Sequence, residues 1–305
     1  MCIRDSFDAA LELTGQAPHV SAPSALLAWI RDNEPERYAR IGHVLGCKDW
    51  LRYCLTDTIG TDRTEASTSF TDVTTQAYSR QAVELFGLSA IFDALAPMAG
   101  SAEIVGHVTA RAAAATGLVE GTPVACGLHD VTASALGAGG HRHGVVDIVA
   151  GTYSINEVVT DTPRVDARWF CRNGIAPGQW NAMSISPASA ANYDWFLDTV
   201  FRAELEASQA GGQPIHALAG AELDAALARP SGILFHPYLF GSPQAGPASA
   251  GFFGLHGWHN RGDMLRAVLE GIAFNHRYHI DALADGFRFD AARLTGGCLL
   301  YTSDA

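Results

Sequence analysis

GTPVACGLHDVTASALGAGG, residues 121–140, holds a turn at Glu120–Gly121, a short β-prone run from Pro123 to Cys126, a glycine at 127 and a small-residue helix ending at Gly139 or Gly140. Strand, turn and helix in that order are the building unit of an α/β domain. Asp130 stands where the strand has ended and the helix begins, at the positive end of the helix dipole, a place that favours a carboxylate and holds it rigidly. Such a carboxylate can accept a proton from a hydroxyl. Asp is also among the commonest N-caps, and on spacing alone that plainer role has the higher prior.

Downstream, GVVDIVA (144–150) reads as a strand and Ile155–Val159 as its antiparallel partner after a turn at Gly151–Thr152. A new sheet and a new domain start here. A glycine in that turn lets the backbone approach a phosphate, and the threonine adds a hydroxyl donor. An ordinary hairpin turn outweighs that reading when the dipeptide is taken alone. Gly296–Gly297, after a strand at Arg293–Thr295, carries the same two readings. Between them, Gly232–Leu239 reads as extended chain and Asp263–Leu283 as a long helix with Met264, Leu265, Val268, Ile272 and Phe274 as its apolar stripe.

Upstream, Ala25–Asn33 reads as a buried helix with Leu26, Leu27, Trp29 and Ile30 on one side. Asp49 reads as the N-cap of a helix carrying Trp50, Leu51, Tyr53 and Leu55, beside a solvated Lys48. Gly60–Asp72 is rich in Thr, Ser and Asp and reads as a polar loop able to border a pocket. Helical patterns follow at Ser79–Phe86 and Ala110–Ala115.

The chain of 305 residues has room for two domains. Its 17% of charged residues, low for a soluble protein, point to well-covered sheets and helices. A net charge of -12 without a basic run excludes phosphate-backbone attraction as the basis of binding, so nucleic acid is not an expected partner. No apolar run reaches the roughly 20 residues of a membrane span, and a cytoplasmic location is expected. The six cysteines are scattered and read as reduced thiols. His141 and His143 in GGHRHG have the spacing of two ligands on one strand, but with no Cys or carboxylate nearby a polar turn is the stronger reading. MCIRDS (1–6) and CLLYTSDA (298–305) look like translated sequencing-adapter sequence, so the chain is expected to be truncated at both ends.

Residues 121–140, with the strand and GTYS (151–154) that follow, closely resemble the junction between the two domains of FGGY carbohydrate kinases. ASAGFFGLHGWHNRGDMLRAVLEGIAF (248–274) resembles that family's second signature, with Gly254–Leu255, Asp263 and Glu270 in place. SAPSALLAWIRDNEPERYARIGHVLGCKDWLRY (21–53), TDRTEASTSFTD (61–72), TGLVEGTPV (116–124) and LTGG (294–297) extend the likeness from about Ser21 to Gly297.

The resemblance implies two actin-like, ribonuclease-H-like α/β domains, both incomplete, closing on a cleft for sugar and MgATP. Residues 7–143 would be the C-terminal part of the sugar-binding domain and 144–297 the first part of the ATP-binding domain. It implies Asp130 as catalytic base and sugar contact, and Gly151, Thr152, Gly296 and Gly297 as ATP and phosphate contacts. ATP and Mg2+ are the implied cofactors, with no metal ligand assigned to the chain, and a homodimer is the expected assembly. The family's N-terminal phosphate-binding strand pair and its adenosine loop are not matched, so the fragment alone is expected not to turn over.

GLHDVTASALGAG and SPASAANYDWF (186–196) are nearer in look to pentulose kinases than to glycerol kinases. Val131 stands where several relatives carry a polar sugar contact, and His129 is the candidate to compensate, against a structural role at least as strong. The rivals are an erythritol or other polyol kinase of the same family and a noncatalytic actin-like sugar-binding protein. Retention of Asp130 argues against the second.

Overall fold

The computed structural model describes residues 3–242 and 248–296. In chain order its elements are α1 (Ile3–Thr14), α2 (Pro23–Asn33), α3 (Pro35–Tyr38), α4 (Cys47–Thr56), β1 (Thr61–Asp62), α5 (Arg63–Ala66), α6 (Arg80–Leu85), a 3-10 turn (Ser89–Ala94), β2 (Met98–Ala99), β3 (Ile104–His107), α7 (Ala110–Thr116), β4 (Pro123–Ala125) and α8 (Asp130–Gly137). They continue with β5 (Gly144–Ala150), β6 (Ser154–Thr160), β7 (Phe170–Asn173), β8 (Trp180–Ser186), α9 (Ala190–Val200), α10 (Arg202–Gln209), α11 (Ile215–Leu227), β9 (Leu234–His236), β10 (Gly251–Phe253), α12 (Arg261–Gly286) and β11 (Phe289–Thr295).

Local chemistry sets many of these boundaries. Ser79 caps α6 by accepting from the Ala82 amide at 3.2 Å, and Thr109 caps α7 by accepting from Ala112 at 3.2 Å. Each such cap stabilises its helix by about 1 kcal/mol. Asn260 and Asp263 bond reciprocally at the start of α12, a capping box that begins this helix two residues before the sequence reading. Strand β11 likewise starts earlier than expected, at Phe289.

Two compact units result, one of residues 1–143 and 158–183, the other of 144–157 and 184–305. The principal sheet has the strand order β11-β5-β6-β8-β7, with β11 parallel to β5 and β7 antiparallel to β8. In the first unit Leu27, Phe70, Val83, Leu88 and Ile91 form a core. In the second, Phe196, Phe201, Phe235, Leu265, Val268 and Ile272 join α9, α12 and β9. Burying one such side chain contributes about 1.5–3 kcal/mol, which makes these clusters the main stabilising force.

Helix α2 departs from its expected burial. Only Ser24 and Leu27 are buried, whereas Leu26 and Trp29 are exposed. The core takes the face defined by positions 24 and 27, and residues 26 and 29 lie on another face.

Strand β5 carries an unexpected buried carboxyl. Asp147 is 1% exposed and neither oxygen has a hydrogen-bond partner among the described residues. Burial pushes it from the ordinary 3.8 up to about 6. A raised folded-state value favours the protonated form, so this stability is complete below about pH 4 and lost as pH rises through 6. The Asp147→Asn variant is therefore expected to be more stable than the parent at pH 7.5 by up to about 3 kcal/mol. Urea unfolding should show the gap closing toward pH 4.5. His129, His276 and His279, each pushed down to about 4 by burial, act in the opposite sense as pH falls, but they are common to both proteins and cancel in the difference.

Candidate functional site

In the first unit Asp130 is the first residue of α8 and His129 is the N-cap. The Asp130 side chain is 90% exposed and that of His129 17% exposed, with His129 Nδ1 3.3 Å from Asp130 Oδ1. Asp130 Oδ1 also accepts from the Val131 amide at 2.7 Å. Burial, reinforced by the charge of Arg172, pushes the His129 imidazole down to about 4 against the opposing pull of Asp130 and Asp62. At neutral pH it is uncharged and not the carboxylate's counter-ion, and its buried Nδ1 has no hydrogen-bond partner among the described residues. The arrangement offers a solvent-facing base on a rigid helix start, within reach of a hydroxyl that His129 can help to orient.

Beneath it lies a buried ionic cluster. The His129 amide donates to Thr64 Oγ1 at 2.9 Å, and that hydroxyl donates to Asp62 Oδ2 at 2.5 Å. Asp62 also caps α5, accepting from the Thr64 amide at 2.8 Å. Lys48 Nζ bridges Asp62 Oδ1 at 2.8 Å and Asp49 Oδ1 at 2.7 Å. Arg52 reaches Asp49 at 3.1 Å and the Cys126 carbonyl at 2.9 Å, and Thr61 donates to Asp49 at 2.6 Å.

Three sequence expectations change here. Lys48 is not a solvated lysine: its side chain is 25% exposed, because two fully buried carboxylates require a cation. Burial alone would lower its pKa, but its hydrogen bonds to Asp49 and Asp62 raise it. Asp49 is not an N-cap; Gly46 occupies that position and the Asp49 carboxylate points into the cluster. Residues 60–72 are not loop throughout, since they hold β1 and α5, and Thr61, Asp62, Thr64, Ser67, Ser69 and Thr71 are buried.

Glu65 was not singled out by the sequence reading. Its carboxyl is pushed up by burial, and by Asp49, Asp62 and Asp130, against the opposing charge of Lys48. That places it among the charges around Asp130. The available signal was the close grouping of Asp62 and Glu65 in a segment otherwise made of small polar residues.

In the second unit the Gly151–Thr152 turn links β5 to β6. Its carbonyls accept from the start of α9, Ala190 to Gly151 at 2.9 Å and Ser189 to Thr152 at 2.8 Å. Thr152 is exposed, and neither its amide nor its hydroxyl has a hydrogen-bond partner among the described residues. A Cβ on Gly151 would meet nothing nearer than 3.8 Å. Open space and unpartnered donors suit phosphate oxygens.

Gly296 follows β11, which runs parallel to β5 with Thr295 opposite Val149. Its φ is +122° and a Cβ there would fall on the backbone of Ala150, so close approach of the two strand ends requires glycine. The structure thus brings Gly296 to the same strand end as Gly151. Gly297 lies outside the described residues. His141 bonds Gln179 at 3.2 Å and His143 lies 3.2 Å from Asp161, as a polar turn would have it. Among the described residues no group of three His, Cys, Asp or Glu is placed to hold a metal ion.

Two family models match the chain in order, and the second includes residues 158–183, which the compact units group with the first. The FGGY family of carbohydrate kinases, N-terminal domain, matches residues 5–137, and its C-terminal domain matches 146–300. The L-xylulose/3-keto-L-gulonate kinase of Escherichia coli (strain K12) is 33% identical over 302 residues, covering 93% of this chain and 56% of that protein. The erythritol kinase of Brucella abortus (strain 2308) is 29% identical over 309 residues, covering 95% and 57%. The crystal structure of xylulose kinase from Rhodospirillum rubrum superposes with a TM-score of 0.77 at 31% identity, covering 93% of this chain and 57% of that one. The chain thus spans little more than half the length of these relatives. With both domain matches in order and the fold of the solved kinase, the chain belongs to the FGGY family of carbohydrate kinases and has that family's two-domain, actin-like α/β fold.

Proposed function

We propose that the protein carrying this chain transfers the γ-phosphoryl group of ATP to a hydroxyl of a pentulose, with Asp130 as general base. The observation that carries this reading is the exposed Asp130 carboxylate at a helix start, anchored through His129 and Thr64 to a buried ionic cluster. Identity to the L-xylulose/3-keto-L-gulonate kinase, higher than to the erythritol kinase, favours a ketopentose over a polyol.

The sugar oxygen attacks the γ-phosphorus while its proton passes to Asp130. The bond from that phosphorus to the bridging oxygen breaks, and its electron pair leaves with ADP. His129, uncharged, hydrogen-bonds the sugar and sets the angle of attack. The Thr152 amide and hydroxyl receive phosphoryl oxygens in the opening left by Gly151, and Gly296 keeps the adjoining strand end close. Magnesium belongs with the nucleotide phosphates in this reading, and no step is assigned to a metal ion held by the chain.

The same reading places the enzyme in the cytoplasm as a homodimer, with sugar and ATP as partners and no nucleic acid. Among the described residues no helix is long and apolar enough to cross a membrane. ADP release by the full-length protein, measured with L-xylulose, D-xylulose, D-ribulose, erythritol and glycerol, tests the substrate class. At least tenfold higher kcat/KM for one ketopentose is expected. A preference for erythritol would make it a polyol kinase, and ATP binding without turnover of any of them would make it a noncatalytic binder.

A further inference from the structure

The proposed phosphate turn rests on a buried polar chain that the sequence reading left unexplained. Ser189 occupies the N-cap position of α9, yet its hydroxyl makes no capping bond. It bonds His276 Nε2 on α12 at 3.1 Å instead. His276 Nδ1 meets Ser154 Oγ at 3.1 Å and Asn156 Oδ1 at 3.0 Å, both on β6. Ser154, Asn156, Ser189 and His276 are all buried.

Donor and acceptor roles in this chain are fixed by chemistry. Asn156 Nδ2 lies 3.3 Å from the Ser184 carbonyl, which can only accept, so Asn156 Oδ1 is the atom facing His276. That oxygen also only accepts, so His276 carries its proton on Nδ1. Nε2 is then an acceptor, and the Ser189 hydroxyl donates to it. Burial pushes His276 down to about 4, which keeps the ring neutral and these roles constant at working pH.

The imidazole therefore ties together the two sides of the Gly151–Thr152 turn. Ser154 begins the strand directly after the turn, and the Ser189 and Ala190 amides hold its two carbonyls. We propose that His276 is a positioning residue that locks the Gly151–Thr152 turn through Ser154 and Ser189, so that the turn's donors are preset for a phosphate group. The nucleotide half of this proposal rests on the function proposed above; the structural half does not.

Two measurements on the full-length protein separate them. Amide hydrogen exchange at Ser189 and Ala190 is expected to quicken at least tenfold in His276→Ala and in Ser189→Ala, with amides of α11 unchanged. The KM for ATP is expected to rise about tenfold while the KM for the ketopentose stays within twofold. His276→Gln, whose side-chain amide offers an N–H donor group and a carbonyl acceptor, should restore most of both. Ser189→Ala removes a single hydroxyl and guards against a His276→Ala that fails to fold.

Unchanged exchange at Ser189 and Ala190 in Ser189→Ala would overturn the proposal, as would a parallel rise of both KM values with a lowered Tm. Faster exchange with an unchanged KM for ATP would overturn its nucleotide half. If the parent protein phosphorylates no sugar, the proposed function falls, and the exchange result still decides whether His276 holds the turn.

Discussion

Replacing Asp130 by Asn in the full-length protein should lower kcat for ketopentose phosphorylation by about 10²- to 10⁴-fold, the range in which general bases contribute. The KM values for sugar and ATP should change by less than about threefold, because Asn keeps the shape and a hydrogen-bonding oxygen while losing the basic site. Folding should be untouched: the side chain is 90% exposed, and its backbone position is set by His129 and Thr64. An equal Tm with lost turnover would assign the defect to chemistry. Because burial holds the His129 imidazole at about 4, an acid limb between pH 6 and 7 in the rate profile could not be ascribed to it. Undiminished turnover in Asp130→Asn would remove the assignment altogether.

What could be read from the sequence was local. The strand, turn and helix across residues 121–140 depend on neighbours a few positions apart, and the structure places β4 and α8 there. The hairpin of β5 and β6 and the caps at Ser79 and Thr109 follow from equally short-range preferences. The environments of single side chains were not legible in the same way. Lys48 looks solvated until Asp62, fourteen positions on, is brought against it, and Arg52 is explained only by the carbonyl of Cys126. Ser189 is not singled out by the sequence, because nothing nearby announces a histidine 87 positions later. Asp147 lies in a run that reads correctly as a strand, yet the pattern gives no hint that its carboxyl is buried without a hydrogen-bond partner among the described residues. Propensity reports the backbone, whereas the charged core of the site is built from contacts between distant segments.

That core makes Asp62 the position where stability and activity are most closely joined. Asp62→Ala should destabilise the protein by about 3–5 kcal/mol, the usual result of removing one partner from a buried ion pair. It leaves Lys48 with Asp49 alone and deprives Thr64 of both the acceptor for its hydroxyl and the cap for its amide. The Thr64 hydroxyl can then turn away from the His129 amide, loosening the start of α8, so kcat should fall even where the protein remains folded. A second change separates the two effects. Lys48→Met combined with Asp62→Leu removes both charges and fills the space with apolar groups, and such replacements often recover the stability that breaking the pair has cost. The double variant should therefore regain at least half of the lost unfolding free energy in urea titrations, while kcat stays low because Thr64 is still without its anchor. Recovery of both would mean that the cluster serves folding alone. A loss below about 1 kcal/mol in Asp62→Ala would show that Lys48 finds water or Asp49 sufficient, and that the helix bearing Asp130 is held by something other than this chain of bonds.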